Sequence, residues 1–261
     1  MEKLYFITDL DRTIIHSKNK GFKCVELIGE REITYMTELA YEKLDNLLKL
    51  KNFEFIPCTM RNIRQTLRVD FIRKYEPNVI ICSNGAQIYI YGELDLVWNE
   101  KMKNIVSDEE LKYNINYLNE LHIKFKEKIN ILEVRNIEDF YITVKCLNSD
   151  EADKFYEIIK NSFEKHIEVI KIEAKIFIIH EGVNKLPALD YVVERFKIKR
   201  LITSGDSEVD REFTMRGISV LPKHCEFKHK DSIVTKKSAI NSTEEILDFV
   251  NGFYEYNVCN L

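Results

Sequence analysis

Residues 4–13, LYFITDLDRT, join an apolar segment to two acidic residues. The first five are apolar or β-branched, which is typical of a buried strand. Asp9 and Asp11 follow at once, separated by a single residue. In a parallel α/β sheet, ligands bind beside the carboxyl ends of the strands, so we expect these carboxylates to face a functional crevice. A strand that runs into an Asp-rich turn is the alternative, and this segment alone leaves both open.

The composition is typical of a globular protein. The 261 residues are 45% hydrophobic and 31% charged, and the net charge is −4. Interspersed acids and bases argue against nucleic acid as a partner. The six cysteines show no CxxC spacing, which favours free thiols in a reducing compartment. Because the sequence shows neither a signal-peptide pattern nor an apolar run of about 20 residues, we expect a cytoplasmic protein without a membrane span.

Strand and helix patterns alternate in the first and last thirds of the chain. Strands are expected at residues 53–58, 78–82 and 200–203, and helices at 37–50, around Ile63 to Phe71, and from Lys185. This rhythm predicts parallel strands with right-handed crossovers. Thr37 is the expected N-cap of the helix at 37–50, and Ser242 to Glu245 match a capping box before a last helix. The polar, glycine-containing residues 18–33 are expected to form a flap or short hairpin.

Residues 87–91 and 94–98 are instead typical of the two strands of a hairpin, and a helix is expected at 107–128. Further strands are expected at 129–134, 140–146, 166–172 and 175–180, with a helix at 150–163 among them. We therefore predict a Rossmann-like α/β core of residues 1–86 and 182–261, with an inserted α+β domain of residues 87–181.

Polar or charged side chains stand at further junctions of this predicted core. Thr59 follows the strand at 53–58, Lys185 opens a helix, and Asp206 and Asp210 follow the strand at 200–203. A parallel sheet would gather all of them with Asp9 at one edge. Simpler interpretations exist for each one. Thr59 could cap the following helix, Lys185 could be an exposed helix-start lysine, and Asp210 could be a first-turn acid.

Taken in order, these segments resemble the motifs of the haloacid dehalogenase superfamily of phosphohydrolases. DLDRT at 9–13 looks like the DxDxT motif, Thr59 and Lys185 match the second and third motifs, and GDSEVD at 205–210 looks like GDxxxD. The insertion lies where this family places a type C2 cap. SNGA at 83–86 is similar to the Cof-like and sucrose-phosphatase-like branches. Arg12, Met60 and Val209 depart from the pattern, since these branches often have glycine, glycine and asparagine there.

The resemblance implies a phosphatase, a phosphoric monoester hydrolase that uses Mg²⁺ and acts on a small phosphorylated metabolite such as a sugar phosphate. A divalent cation is needed because a phosphate monoester dianion repels nucleophiles, and Mg²⁺ prefers oxygen ligands. By this resemblance Asp9 and Asp206 supply carboxylates, Asp11 supplies its backbone carbonyl and Asp210 orients the metal site. Asp9 is also the nucleophile that forms an aspartyl phosphate, and Asp11 the acid and base. Thr59 and Lys185 balance the charge on the transferred group.

Two other functions stay open at this point. A phosphosugar mutase would return the phosphoryl group to a second hydroxyl instead of to water. A phospho-ligand-binding protein would keep the fold without turnover, and the three departures from the motif pattern leave room for it.

Overall fold

The computed structural model describes residues 2–17 and 20–259, with side chains up to residue 256. The strands, in chain order, are β1 (Leu4–Thr8), β2 (Lys23–Ile28), β3 (Arg31–Met36), β4 (Phe53–Pro57), β5 (Val79–Cys82), β6 (Gln87–Ile90), β7 (Glu93–Leu94), β8 (Ile131–Ile137), β9 (Tyr141–Cys146), β10 (Ile167–Ile172), β11 (Lys175–His180), β12 (Leu201–Ser204), β13 (Ile218–Leu221) and β14 (Ile233–Val234). The helices are α1 (Glu38–Leu48), α2 (Ile63–Thr66), α3 (Asp70–Tyr75), α4 (Leu96–Ile105), α5 (Asp108–Phe125), α6 (Ser149–Ile159), α7 (Lys185–Phe196), α8 (Arg211–Thr214) and α9 (Ser242–Cys259).

The chain forms two compact units. The first contains the described residues up to Asp95 and from Lys185 onward, and the second is Leu96–Asn184. The inserted domain was predicted to begin at residue 87, but β6 and β7 belong to the first unit. The reason is that β6 pairs antiparallel with β5 over four residues and thereby extends the structure that β5 starts.

A five-stranded parallel sheet forms the centre of the first unit. Its strand order is β14-β13-β12-β1-β4, so β1 lies between β12 and β4. Thr8, the last residue of β1, is in register with Ser204 of β12 and Pro57 of β4. The strands β1, β12 and β4 therefore end at the same edge, which confirms the predicted Rossmann-like parallel sheet.

The segment before α1 forms a hairpin. A short flap or hairpin was predicted for residues 18–33, of which Lys18 and Asn19 lie outside the described residues. In the structure β2 and β3 pair antiparallel and extend to Met36. The predicted N-cap of α1 is confirmed, since the Thr37 hydroxyl accepts a hydrogen bond from the Ala40 N–H.

Two helix predictions are wrong in detail. The single helix expected around Ile63 to Phe71 is split into α2 and α3, because the backbone at Val69 is extended. A capping box was expected from Ser242 to Glu245 at the start of the last helix. A short 3-10 segment, Ala239–Asn241, instead leads directly into α9, and the Ser242 hydroxyl donates to the Ala239 carbonyl.

The second unit is an antiparallel sheet with helices on it. Its strand order is β10-β11-β9-β8, and α5 and α6 contribute Leu118 and Phe155 to its apolar core. The strand predicted at residues 94–98 is wrong beyond Leu94. Residues from Leu96 onward are helical, and Trp98 and Met102, one helical turn apart, are both buried.

Two further findings concern the whole described chain. No helix in the described ranges is long and apolar enough to cross a membrane. The five cysteines whose side chains are described, Cys24, Cys58, Cys82, Cys146 and Cys225, are free thiols.

Candidate active site

Three carboxylates from two strand ends lie together in the first unit. Each of Asp9, Asp206 and Asp210 has a carboxylate oxygen within 4.8 Å of one on each of the other two, and all three residues are buried. The backbone explains this convergence, because the Asp9 N–H donates to the Ser204 carbonyl at 2.9 Å and so joins the ends of β1 and β12. The parallel sheet thus brings together acids that are almost two hundred residues apart in sequence.

Lys185 lies among these acids and is fully buried. Its ammonium group donates to Asp9 Oδ1 at 2.7 Å and to Asp210 Oδ1 at 2.6 Å. Burial alone would lower the pKa of Lys185, but the nearby Asp210 and Asp9 carboxylates raise it above its ordinary value. An exposed helix-start lysine is therefore the wrong interpretation of this residue.

Asp210 organises the loop that follows β12. Its Oδ2 accepts three hydrogen bonds, from the backbone N–H groups of Asp206 and Ser207 and from the Ser207 hydroxyl. Gly205 makes this possible, since a Cβ there would lie only 2.5 Å from the Asp210 Cβ. Asp210 is thus more than a first-turn acid, because its carboxylate fixes the backbone that presents Asp206.

The Asp206 carboxylate is held by two residues of the loop after β1. Its Oδ1 accepts a hydrogen bond from the Thr13 hydroxyl at 3.2 Å, and its Oδ2 lies 2.9 Å from Arg12 Nε. That second contact is an ion pair without hydrogen-bond geometry, so Oδ2 is a buried oxygen that accepts no hydrogen bond. Burial, together with the repulsion among the acids, raises the pKa of both Asp9 and Asp206.

Asp11 lies in a different electrostatic environment. Its side chain is 48% exposed, and Arg61 binds both of its oxygens, with Nε to Oδ2 at 2.6 Å and Nη2 to Oδ1 at 2.8 Å. The same guanidinium donates to fully buried Glu26 at 2.8 Å, and Glu26 also accepts from Arg68. Asp11 is therefore fixed by a two-point ion pair that is itself anchored in the fold.

Thr59 lies at the end of β4, two residues beyond Pro57. The N–H of the preceding residue, Cys58, donates to the Thr8 carbonyl, which ties this end to that of β1. Thr59 does not cap the following helix, because Asn62 is the N-cap of α2. The Thr59 hydroxyl accepts from the Arg61 N–H at 3.2 Å, and the residue is buried. Its predicted role beside the acids stays a prediction.

Sequence reasoning missed four residues around this site. Thr13 is the last residue of the DxDxT pattern, so its contact with Asp206 could have been found from the motif. Arg61 was not among the predicted site residues, and Arg12 was noted only as a departure from the motif. Glu26 carried no sequence signal, since only the folded hairpin brings β2 beside Arg61.

The donor set fits a hard divalent cation such as Mg²⁺. The candidate ligand atoms of Asp9, Asp206 and Asp210 are all carboxylate oxygens, the ligands that Mg²⁺ prefers, and Asp206 Oδ2 is a buried oxygen without a hydrogen bond. The Asp11 side chain is outside this group of three, so its predicted role through the backbone carbonyl stays a prediction.

Comparisons with known proteins agree with this architecture. Residues 87–238, more than half of the chain, match the family model described as haloacid dehalogenase-like hydrolase. No curated protein matches the sequence.

Several solved structures share the fold. The sucrose-phosphatase from Synechocystis sp. PCC6803, solved with sucrose and phosphate, is 14% identical, with 96% of this chain and 99% of that chain covered and a TM-score of 0.61. A Thermotoga maritima protein is 18% identical, with 95% and 97% covered and a TM-score of 0.62. A trehalose-6-phosphate phosphatase related protein is 17% identical, with 98% and 100% covered and a TM-score of 0.57. With the matching family model and the α/β fold, these findings show that the chain belongs to the haloacid dehalogenase-like hydrolase family.

Proposed function

We propose that this hydrolase is a Mg²⁺-dependent phosphatase that acts on a small phosphorylated metabolite, with a sugar phosphate as the expected substrate. The observation that carries the proposal is the convergence of Asp9, Asp206 and Asp210 around Lys185 at the carboxyl edge of the parallel sheet. The substrate class is supported by the shared fold with a sucrose-phosphatase and with a trehalose-6-phosphate phosphatase related protein.

Asp9 and Asp206 would hold the cation through their carboxylates, and Asp11 through its backbone carbonyl. Asp210 would act indirectly, because its oxygens already bind Lys185 and the Asp206 loop. When bound, the cation supplies the positive charge that neutralises the phosphoryl oxygens and favours the ionised form of the acids.

Asp9 is the proposed nucleophile. Lys185 holds its Oδ1, which limits the rotation of the carboxylate and orients it for attack on phosphorus. Attack forms the bond between a carboxylate oxygen and phosphorus while the bond to the leaving alkoxide breaks. Lys185 and the Thr59 hydroxyl would then stabilise the charge on the transferred group.

Asp11 is the proposed acid and base. It would give its proton to the leaving alkoxide and later take a proton from the water that hydrolyses the aspartyl phosphate. Its partial exposure leaves the carboxyl group accessible to substrate and water, and the Arg61 ion pair fixes its direction. Because this pair favours the ionised carboxylate, it holds Asp11 as the base, and one of its two hydrogen bonds has to open when Asp11 carries the proton for the alkoxide. Arg61 is therefore proposed as a positioning residue for Asp11.

The second unit is proposed as the C2-type cap that selects the leaving group. The proposed partner is a small phosphate ester, and the proposed location is the cytoplasm, with which the free thiols of the five described cysteines agree.

The proposal is tested by phosphate release from a broad panel of phosphorylated metabolites. We expect the wild type to release phosphate with Mg²⁺ and not with EDTA, and Asp9→Asn to be inactive with an unchanged circular dichroism spectrum. A wild type that releases no phosphate from any compound would contradict the proposal. An isomerised ester in place of free phosphate would identify a mutase.

A further inference from the structure

Arg12 occupies an unusual position in the loop after β1. Its backbone has a φ of +64°, in the left-handed region where residues other than glycine are uncommon. The backbone carbonyl accepts a hydrogen bond from His224 Nε2 at 2.9 Å, and the side chain is 29% exposed. The hydrogen bond from His224 needs only the backbone, so what the arginine adds at this position is its guanidinium.

The guanidinium connects two carboxylates. Its Nε lies 2.9 Å from Asp206 Oδ2, and its Nη2 donates to Glu226 Oε1 at 3.1 Å. The two acids have opposite surroundings, since the Asp206 side chain is 2% exposed and that of Glu226 is 44% exposed. One partner thus lies inside the acidic cluster and the other at the surface.

Each buried acid of the cluster has a cationic partner in the protein itself. Lys185 is bound to Asp9 and Asp210, and Arg12 is the cation paired with Asp206. A divalent ion held by Asp206 and a guanidinium within 2.9 Å of the same carboxylate would repel each other strongly, because the site is largely shielded from water. Arg12 and the ion therefore compete for Asp206.

Glu226 offers the Arg12 guanidinium a second carboxylate partner. It is fixed beside Asp206, because the Glu226 N–H donates to the Asp206 carbonyl at 2.8 Å, and its Oε2 accepts from the Glu208 N–H. The guanidinium could leave Asp206 and keep its bond to Glu226, with its partly exposed side chain turning toward solvent.

We propose that Arg12 sets the metal affinity of this site: it pairs with Asp206 in the metal-free protein and moves onto Glu226 when a divalent ion binds. The inference rests on the proposed function, since it takes Asp206 as a metal ligand. Arg12 accordingly stabilises the metal-free fold and weakens metal binding.

The test is calorimetric titration with MgCl₂ alone, without substrate. Arg12→Asn removes the charge, and asparagine tolerates the left-handed backbone better than most residues. We expect it to bind Mg²⁺ about tenfold more tightly than the wild type, which corresponds to about 1.4 kcal/mol. Its melting temperature in EDTA should be lower, and the rise in melting temperature on adding Mg²⁺ should be larger.

Three controls separate charge from other effects. Arg12→Lys keeps the charge and should bind Mg²⁺ with nearly wild-type affinity. Arg216→Asn removes an exposed arginine that is paired with Asp190, and it should leave the affinity unchanged.

Glu226→Gln should weaken Mg²⁺ binding in the otherwise wild-type protein but much less in the Arg12→Asn background, because its effect acts through the arginine. Arg12→Gly is a second uncharged variant whose backbone accepts this φ without strain.

The outcomes distinguish the two proposals. Equal Mg²⁺ affinities for wild type and the uncharged variants would overturn the role of Arg12, and leave the phosphatase proposal standing if Asp206→Asn loses binding. No Mg²⁺ binding by any of these proteins, the uncharged variants included, would overturn both.

Discussion

The two units of this protein contain similar side chains but arrange them differently. Both are sheets packed with helices, and both have charged residues on or after their strands. In the first unit the strands around β1 are parallel, so the acids that follow them collect at one edge. In the second unit neighbouring strands run in opposite directions, and the charged residues form local pairs such as Arg135 with Glu133. Over the described ranges, the acidic trio of the first unit is the one cluster able to hold a metal ion. Strand direction, more than composition, therefore concentrates reactive groups.

The largest expected effect follows the isosteric replacement of Asp9, and the same replacement of an acid in the second unit is its control. Asp9→Asn should lower turnover by a factor of about a thousand or more, because it removes the nucleophile. Asp153→Asn, on α6 of the second unit, should leave turnover unchanged, since that exposed acid only pairs with Lys171. Steady-state phosphate release measures both. Similar losses in the two variants would remove the distinction between the units.

The next largest effect is on the free energy of unfolding, when one lysine in each unit is replaced by methionine. Lys185→Met should lower the free energy of unfolding of the metal-free protein by about 3–5 kcal/mol, because it leaves two buried carboxylates without their partner. Lys160→Met breaks an exposed pair with Glu157 in the second unit and should cause no measurable change. Urea unfolding in EDTA decides the matter, and a Lys185→Met protein as stable as the wild type would contradict the pairing.

We expect the stability of the protein to depend on pH through buried His16 of the first unit. Burial, with the charge of His224 as a second cause, lowers the pKa of His16 to about 4. Between this value and the ordinary pKa of about 6.5 the unfolded chain binds more protons than the folded one. The contribution of His16 to stability is therefore complete above about pH 6.5 and is lost as the pH falls toward about 4.

The difference in unfolding free energy between wild type and His16→Gln isolates this contribution. It should shrink by up to about 3 kcal/mol between about pH 7 and about pH 4. Urea unfolding at a series of pH values measures it, and a difference that does not change with pH would show that His16 titrates normally.

The smallest expected effect is on kcat, when the arginine of an arginine–carboxylate pair in each unit is replaced by lysine. Arg61→Lys keeps the charge but loses the two-point contact with Asp11, and should lower kcat by about ten- to a hundredfold with little change in KM. It should also shift the acidic limb of the pH profile, which a loss of stability alone would not do. Arg135→Lys makes the same change to the two-point pair with Glu133 in the second unit, and kcat should not change. Equal effects would show that Arg61 does not act through Asp11.

Sequence patterns predicted the parts of this architecture that depend on local signals. Burial and periodicity are encoded locally, so the sequence predicts the strand before Asp9 and the alternation of strands and helices. The order of the motif residues can also be read directly from it. The break between α2 and α3 and the helix at Leu96 were missed, because apolar spacing alone does not show where the backbone turns.

The site was predicted less completely than the fold. The acids and Lys185 could be located because Asp9, Asp206 and Asp210 follow strands of the parallel sheet closely and Lys185 opens a helix. Glu26 and Arg61 meet only through the β2–β3 hairpin, and the pairing of Arg12 with Asp206 depends on a left-handed backbone turn. Contacts of this kind join distant segments, and no spacing in the sequence records them.

The proposed function depends on acids from distant segments of the first unit forming a single divalent-cation site. Anomalous diffraction from crystals soaked in Mn²⁺, a cation that accepts the same oxygen ligands, would locate such an ion. We expect one strong peak in bonding contact with the carboxylates of Asp9 and Asp206. A peak elsewhere, or none at this edge of the sheet, would contradict it.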